Sequence, residues 1–132
     1  LKEPTHQLRG WVELSEAVAG MARSSGAKWI ATSSYATTGQ LAFRLDRVLP
    51  VIQISERIRY VHMPKADRTI IDSPALYVEL DRRAKPDLLK EKFGSATALG
   101  TLDRKHNGVV LARYQVYLIK SPRDAAGMLQ TD

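Results

Sequence analysis

The amino-acid sequence predicts an α/β fold: a small layered sandwich with helices packed on a mixed, mostly parallel sheet and a C-terminal antiparallel hairpin. Three observations support this prediction. A strand, a helix and a second strand follow one another early in the chain, and such units pair their strands in parallel. Apolar residues recur at helical spacing before this unit. Near the end, Asn107-Gly108 separates two strand-like runs, which is typical of a hairpin.

The spacing of apolar residues and of chain breakers places each element. The first helix is predicted from Trp11, because apolar side chains recur every three or four positions as far as Ala22. Glycine and proline supply the remaining boundaries. The predicted order begins with a polar lead-in at 1–10, a helix from Trp11 that Gly26 caps, a strand at 28–32 and a helix at 36–45, in which Gly39 allows a close neighbour. A strand at 51–54 follows Pro50, and a charged surface loop at 65–72 precedes a strand at 76–80. The last elements are a helix from Pro86 to Phe93 that Gly94 ends, and strands at 95–102 and 109–119 joined by a short charged turn.

Length and composition indicate one ordinary globular domain. The chain has 132 residues, of which 44% are hydrophobic and 26% charged. We therefore expect a lead-in segment over 1–10, a single α/β domain over 11–121 and a loose tail over 122–132. The sequence has no cysteine, which excludes a disulfide framework and a thiolate metal site.

The net charge of +6 allows a nucleic acid, an anionic membrane surface or a phosphate-bearing ligand as a partner. The basic residues are spread along the chain instead of forming a dense run, so we do not expect specific nucleic-acid binding. No apolar run approaches the roughly 18 residues that a membrane-spanning helix needs.

The main candidate site is the loop that follows the first predicted strand. In an open α/β sheet, ligands bind beyond the carboxyl ends of the strands. Ser33, Ser34 and Tyr35 occupy this position and can donate several hydrogen bonds at a helix N-terminus, which suits a phosphate or a sugar hydroxyl. The alternative is structural: Ser34 or a neighbouring hydroxyl caps the helix.

A second candidate segment follows the next strand and contains Arg57, Arg59 and Tyr60. Arginine beside an aromatic residue can hold a phosphate or stack on a sugar. The alternative is a solvated extension of the strand. Asp81, Arg82 and Arg83 follow the third strand and are expected at the same edge, again with an ordinary charged loop as the alternative.

No motif indicates catalysis. The sequence lacks G-x-S-x-G, a P-loop, G-x-G-x-x-G and H-E-x-x-H. The three histidines lie far apart in predicted loops, and nothing in the spacing of Glu79, Asp81 and Asp103 fixes a carboxylate pair. We assign no catalytic residue, no metal ligand and no cofactor. The candidate substrate-binding residues are Ser33, Ser34, Tyr35, Arg57, Arg59 and Tyr60.

Several segments, taken in order, resemble the C-terminal soluble region of bacterial polytopic glycosyltransferases of the protein-mannosyltransferase and aminoarabinose-transferase type. They are E-P-T-H-Q-L-R-G-W, E-L-S-E-A-V-A-G-M, W-I-A-T-S-S-Y, Q-L-A-F-R-L and the closing Y-Q-V-Y-L. The similarity runs from Glu3 to Ile119 and is strongest up to Pro64. Three positions depart from the family pattern: Ser34 precedes Tyr35, Gln40 replaces glutamate, and Val61-His62-Met63 replaces a more aromatic, acidic segment.

The resemblance implies an accessory domain on the periplasmic side of the bacterial inner membrane. The whole enzyme would transfer a sugar from a polyprenyl-phosphate donor to a lipid or protein acceptor, with its catalytic acids in the membrane part, so this piece alone is expected to be inactive. The implied partners are the membrane part of the same polypeptide, anionic lipid headgroups and a lipid-linked sugar.

Two other hypotheses stay open from the sequence. One is a soluble binding module for a phosphorylated or nucleotide ligand that uses the serine loop and the arginines. The other is a small basic nucleic-acid-binding protein, for which salt-sensitive binding would be diagnostic.

Overall fold

The computed structural model of this chain describes residues 4–45, 47–54 and 68–123. These residues form four α-helices and five strands, with one 3₁₀ turn after the third strand; the last two strands are consecutive. Their bounds are α1 Pro4–Ser25, β1 Trp29–Thr32, α2 Tyr35–Leu45, β2 Val51–Gln53, α3 Arg68–Ile71, β3 Ala75–Leu80, the 3₁₀ turn Asp81–Arg83, α4 Pro86–Lys92, β4 Phe93–His106 and β5 Val109–Pro122.

The five strands form one mixed sheet in the order β2-β1-β3-β5-β4. β1 lies parallel to both β2 and β3, and β5 lies antiparallel to both β3 and β4. The predicted fold class is therefore confirmed: parallel strands formed by the early strand-helix-strand unit are followed by an antiparallel hairpin that completes the sheet.

The sheet is covered on both faces, which explains why its central strands are buried along their length. Side chains of β1 and β3 alternate between two apolar clusters. One cluster packs against α1 and α2 and contains Leu14, Val18, Leu41, Leu45, Ile30, Leu76, Val78, Tyr114 and Val116 among others. The other packs against α3 and α4 and contains Trp29, Ile52, Ile54, Ile71, Tyr77, Leu89, Phe93 and Ile119 among others.

The first helix is longer than its apolar pattern predicts. It begins at Pro4, not Trp11, so the segment predicted as a lead-in is helical from residue 4. Proline suits the first turn of a helix because the backbone N–H groups of that turn have no partner within the helix, so the N–H that proline lacks is not needed there. Gly10 does not break the helix. A close neighbour explains the glycine at this position, since a Cβ there would lie 3.0 Å from the carbonyl oxygen of Lys105. The predicted cap is confirmed, since Gly26 has φ +78°.

Three further predictions are corrected. Arg68–Ile71 in the predicted surface loop forms the short helix α3, because the buried Ile71 anchors it in the core. Phe93 begins β4 instead of ending α4, again because its side chain is buried. Gly39 allows no close approach, since a Cβ there would meet open space.

The hairpin β4–β5 is tighter and longer than predicted. Asn107 and Gly108 both have positive φ, 50° and 77°, so a two-residue turn joins the strands and the predicted charged turn is strand. β3 pairs with β5 only as far as Leu80 opposite Tyr114, whereas β4 stays paired with β5 up to the turn. Residues 103–113 therefore extend past the end of β3 as a two-stranded arm, here named the projecting ribbon.

Candidate functional site

The loops after β1 and β3 meet at one edge of the sheet. Because these strands are parallel neighbours, their carboxyl ends lie side by side. The loop Ser33-Ser34 follows β1, and the 3₁₀ turn Asp81–Arg83 follows β3. The Oγ atom of Ser33 lies 3.4 Å from the carbonyl oxygen of Arg83. We name this region, residues 32–38 and 79–83, the carboxyl edge.

A fully buried acidic residue, Glu79, organises the carboxyl edge. Its Oε1 atom accepts hydrogen bonds from the backbone N–H of Ser33 at 2.8 Å and from the Ser33 hydroxyl at 3.3 Å. Its Oε2 atom accepts from the Thr37 hydroxyl at 2.7 Å, the Ser34 hydroxyl at 3.0 Å and the N–H of Leu80 at 2.9 Å. Donors from the loop after β1, from α2 and from β3 therefore converge on one carboxyl group, which offsets the cost of burying it.

The phenol of Tyr77 extends this network on the same face of β3. Its oxygen accepts a hydrogen bond from the N–H of Lys85 at 3.0 Å and lies 2.5 Å from Ser33 Oγ. Burial raises the pKa of the Tyr77 phenol, and its hydrogen bonds with Ser33 and with the Lys85 backbone offset part of that rise. With its oxygen already accepting from Lys85, the phenol can donate to Ser33, which in turn can donate to Glu79.

Ser34 caps helix α2. Its Oγ accepts a hydrogen bond from the N–H of Thr37 at 3.3 Å, three residues further on, which is the geometry of an N-cap. The next turn is tied to β1, because the hydroxyl of Thr38 donates to the Ser34 carbonyl at 2.6 Å and contacts the hydroxyl of Thr32. The capping role that the sequence leaves as an alternative is thus present in the structure.

Only part of the carboxyl edge faces solvent. Ser33 is buried, whereas the Tyr35 side chain is 67% exposed. Arg82 and Arg83 are exposed, and Asp81 accepts a hydrogen bond from Gln115 Nε2 at 2.6 Å. The groups at this edge that an external ligand can reach are therefore the Tyr35 ring and the two arginines, more than the serine hydroxyls.

The structure brings together Ser33, Ser34 and Tyr35, the first three of the predicted site residues, with the turn Asp81–Arg83 beside them. The other three predicted site residues, Arg57, Arg59 and Tyr60, lie outside the described residues. The three carboxyl groups considered in the sequence have separate partners. Glu79 bonds within the network, Asp81 accepts from Gln115, and Asp103 accepts from Arg113 at 2.8 Å. The Arg113 guanidinium holds the pKa of the Asp103 carboxyl below its usual range.

Sequence reasoning did not single out Glu79 as the centre of this edge. One signal was available: Glu79 shares a strand face with Tyr77 and Ala75 by alternation, and a strand buried on that face places its last polar residue inside. The serine loop supplies the donors that such a carboxyl needs. Together, these two patterns place a buried carboxyl group and candidate donors at one edge of the sheet, but they do not specify which atoms bond.

Chemically, the carboxyl edge is a site whose hydrogen-bond capacity is largely used within the protein. A phosphate at the serine loop would compete with both Glu79 oxygens for the same donors. Among the residues that the structure describes, no three His, Cys, Asp or Glu side chains are grouped so that they could hold a metal ion. Within 4–45, 47–54 and 68–123, no helix combines the length and apolar character needed to cross a membrane.

Comparison of the chain with protein-family models, with curated proteins and with solved structures returned no match.

Proposed function

We propose that this chain is an accessory domain of a membrane glycosyltransferase that moves a sugar from a polyprenyl-phosphate donor to a lipid or protein acceptor. The domain lies on the periplasmic side of the bacterial inner membrane. The proposal assigns the chemical step to the membrane part of the enzyme, and a positioning role to this domain.

One observation supports the proposal: among the segments with the family resemblance, W-I-A-T-S-S-Y forms the serine loop of the carboxyl edge, and two others lie on elements beside it. W-I-A-T-S-S-Y comprises β1 and its loop, and Q-L-A-F-R-L is the apolar-faced end of α2. The closing Y-Q-V-Y-L pairs with β3, where Glu79 lies opposite Gln115. These segments are therefore neighbours in the fold, which is compatible with a shared family fold.

Within this proposal, the carboxyl edge contacts the sugar donor through its exposed groups. The Tyr35 ring can stack on a sugar face, and Arg82 and Arg83 can pair with a phosphate. The network around Glu79 holds the loop and the start of α2 in one geometry, so Tyr35 is presented from a rigid support.

The alternative hypothesis, a module that binds a phosphorylated ligand through Ser33 and Ser34, has less support. Both serines already donate to Glu79, so a ligand would have to replace an internal acceptor. A ligand bound by Tyr35 and the arginines leaves these bonds intact.

The first test is the coding sequence that precedes the Leu1 codon in the same gene. The proposal expects many hydrophobic spans there, with acidic residues in the loops between them. An upstream reading frame without such spans would overturn it.

A second test measures sugar transfer by the full-length protein in detergent with a polyprenyl-phosphate-linked sugar. Replacing Tyr35 with alanine should raise KM about tenfold with little change in kcat, because a ring–sugar contact of about 1 kcal/mol or more is lost before the chemical step. Phe43→Ala is the matched control, since Phe43 is an exposed aromatic on the same helix but lies at its other end. Equal effects of the two substitutions on KM would show that Tyr35 does not contact the sugar.

A further inference from the structure

The projecting ribbon exposes apolar side chains that the fold does not use. Val109, Val110 and Leu111 are 62%, 43% and 44% exposed. They are consecutive in β5, so their side chains alternate between the two faces of the ribbon. Clustered exposed apolar groups of this kind mark interaction surfaces.

The ribbon is also basic. Residues 103–113 contain Arg104, Lys105 and Arg113 against the single acid Asp103. Arg113 pairs with Asp103 across the ribbon, and Arg104 lies over the Trp11 ring at 4.8 Å. Lys105 is exposed next to the turn. Lys105 lies opposite Val110 across the ribbon. A tip with apolar groups on one strand and a lysine on the other complements an anionic lipid surface, in which the apolar groups enter the acyl boundary and the long lysine side chain extends to the headgroups.

The distribution over both faces favours a bilayer as the occupant. A flat protein surface would cover one face of a two-stranded ribbon and leave the apolar groups of the other face in water. The lipid interface is fluid and surrounds an inserted tip, so it covers Val109, Val110 and Leu111 together.

The position of the ribbon connects it to the carboxyl edge. It extends from β5 beyond Leu80, so it projects at the end of the sheet where β1 and β3 finish. The N-terminal half of α1 lies at this end too, because Gly10 packs against Arg104 and Lys105. In the proposed function, the membrane part precedes α1, so this end is the one nearest the bilayer.

We infer that the projecting ribbon inserts its tip into an anionic bilayer and so turns the carboxyl edge, with Tyr35, Arg82 and Arg83, toward the membrane surface where a lipid-linked sugar resides. This inference rests on the proposed function for the substrate but not for the lipid contact, which the 132-residue chain can show alone.

The test uses the absence of cysteine from the chain, which allows a single labelled site. Val110→Cys and the control Val48→Cys are each labelled with an environment-sensitive fluorophore and mixed with vesicles. Val48 is 65% exposed and lies with Phe43 beside the groove between α1 and α2. Vesicles of phosphatidylglycerol and phosphatidylcholine are compared with phosphatidylcholine alone.

The inference expects a blue shift for the label at position 110 on anionic vesicles, no shift at position 48, and loss of binding at about 0.5 M salt. No binding, a shift only at position 48, or equal binding to neutral vesicles would each overturn it.

Unlabelled variants give a second measurement by vesicle co-sedimentation. Val109→Thr, Val110→Thr and Leu111→Thr combined keep good strand formers and should weaken binding at least about tenfold. Phe43→Ala with Val48→Thr, which removes apolar groups elsewhere, should leave binding unchanged. Lys105→Gln should weaken binding about fivefold, equivalent to about 1 kcal/mol for one basic residue near an anionic surface, whereas Lys90→Gln should not. Equal losses in variant and control would contradict a role for the ribbon.

The two proposals fail separately. If hydrophobic spans precede Leu1 but the ribbon binds no vesicles, the accessory-domain proposal stands and its membrane contact is not the ribbon. If the ribbon binds vesicles but no spans precede it, the chain is a peripheral membrane protein and the glycosyltransferase proposal is wrong.

Discussion

The carboxyl edge and the projecting ribbon lie at the same end of the sheet and differ in where their side chains find partners. At the carboxyl edge, the polar groups of Ser33, Ser34 and Thr37 bond to Glu79 inside the protein. In the ribbon, the apolar groups of Val109 to Leu111 have solvent around them. A hydroxyl-rich loop at a strand end is therefore not by itself a ligand site, because another part of the fold can supply the acceptor for its hydrogen bonds.

The largest expected effect comes from breaking the internal network. Glu79→Gln replaces one acceptor oxygen by an amide that faces donors, so the free energy of unfolding should fall by about 3 kcal/mol, measured by urea denaturation. The control is the ribbon variant with Val109, Val110 and Leu111 changed to threonine, which should stay within about 0.5 kcal/mol of the parent. Equal losses of unfolding free energy in the two variants would contradict the difference described between the two regions.

Tyr77→Phe sharpens the same contrast, because it removes one hydroxyl and leaves the packing. The Lys85 N–H and Ser33 Oγ then lose a partner, and the free energy of unfolding should fall by about 1–2 kcal/mol. Tyr117→Phe is the matched control, since its hydroxyl makes one long bond of 3.4 Å to Gln115. A larger loss for Tyr117→Phe would mean that the network contributes little.

The pH dependence of unfolding gives an independent measure of the Tyr77 environment. Burial raises the pKa of the Tyr77 and Tyr114 phenols above the ordinary value of 10.0. Above that pH, the unfolded chain releases these protons before the folded protein does, so stability falls as pH rises. Below it, their contribution is fully present. The double Phe variant should show a flatter decline, and an unchanged slope would be evidence against this assignment.

Gly10→Ala tests whether α1 supports the ribbon at Arg104 and Lys105. The new Cβ would lie 3.0 Å from the Lys105 carbonyl oxygen and 3.1 Å from Arg104 Cγ. Strain of this kind should exceed the gain in helix propensity and lower the free energy of unfolding by about 1 kcal/mol. A stabilised variant would show that α1 and the ribbon are less closely packed.

Gly39→Ala has the smallest expected effect, and it should raise the free energy of unfolding instead of lowering it. Nothing lies within 4 Å of the new Cβ, and Gly39 is inside α2 without positive φ. Thermal or urea denaturation should show a gain of about 0.5–1 kcal/mol, because alanine restricts the unfolded chain and favours the helix. A loss would reveal a packing role for Gly39.

The sequence predicts the fold where local signals agree with the tertiary packing. The early strand-helix-strand unit and the Asn107-Gly108 turn are of this kind, and both match the structure. Boundaries are wrong where a distant contact decides them. Gly10 lies inside a helix whose backbone packs closely against Arg104 and Lys105, and Phe93 joins a strand because the core buries its ring.

For the candidate site, alternation and strand order place Ser33 and Ser34 at the correct edge but do not reveal what they bond. That depends on Glu79, 46 residues beyond Ser33, entering the same edge from β3. Spacing along one strand does not contain such a contact. The exposure of the ribbon also depends on β3 ending at Leu80 while β5 continues, which follows from pairing and not from the ribbon's own sequence.

We infer that one end of this domain meets a membrane through the ribbon while its polar network stays internal. The decisive experiment is nuclear magnetic resonance of the 132-residue chain with anionic bicelles that carry a paramagnetic lipid. The expected result is the strongest signal loss for Lys105 to Leu111, weaker loss for Tyr35, and none for Gly26 to Lys28 at the opposite end. Strongest loss at Gly26 to Lys28, or beside Phe43 and Val48, would contradict it.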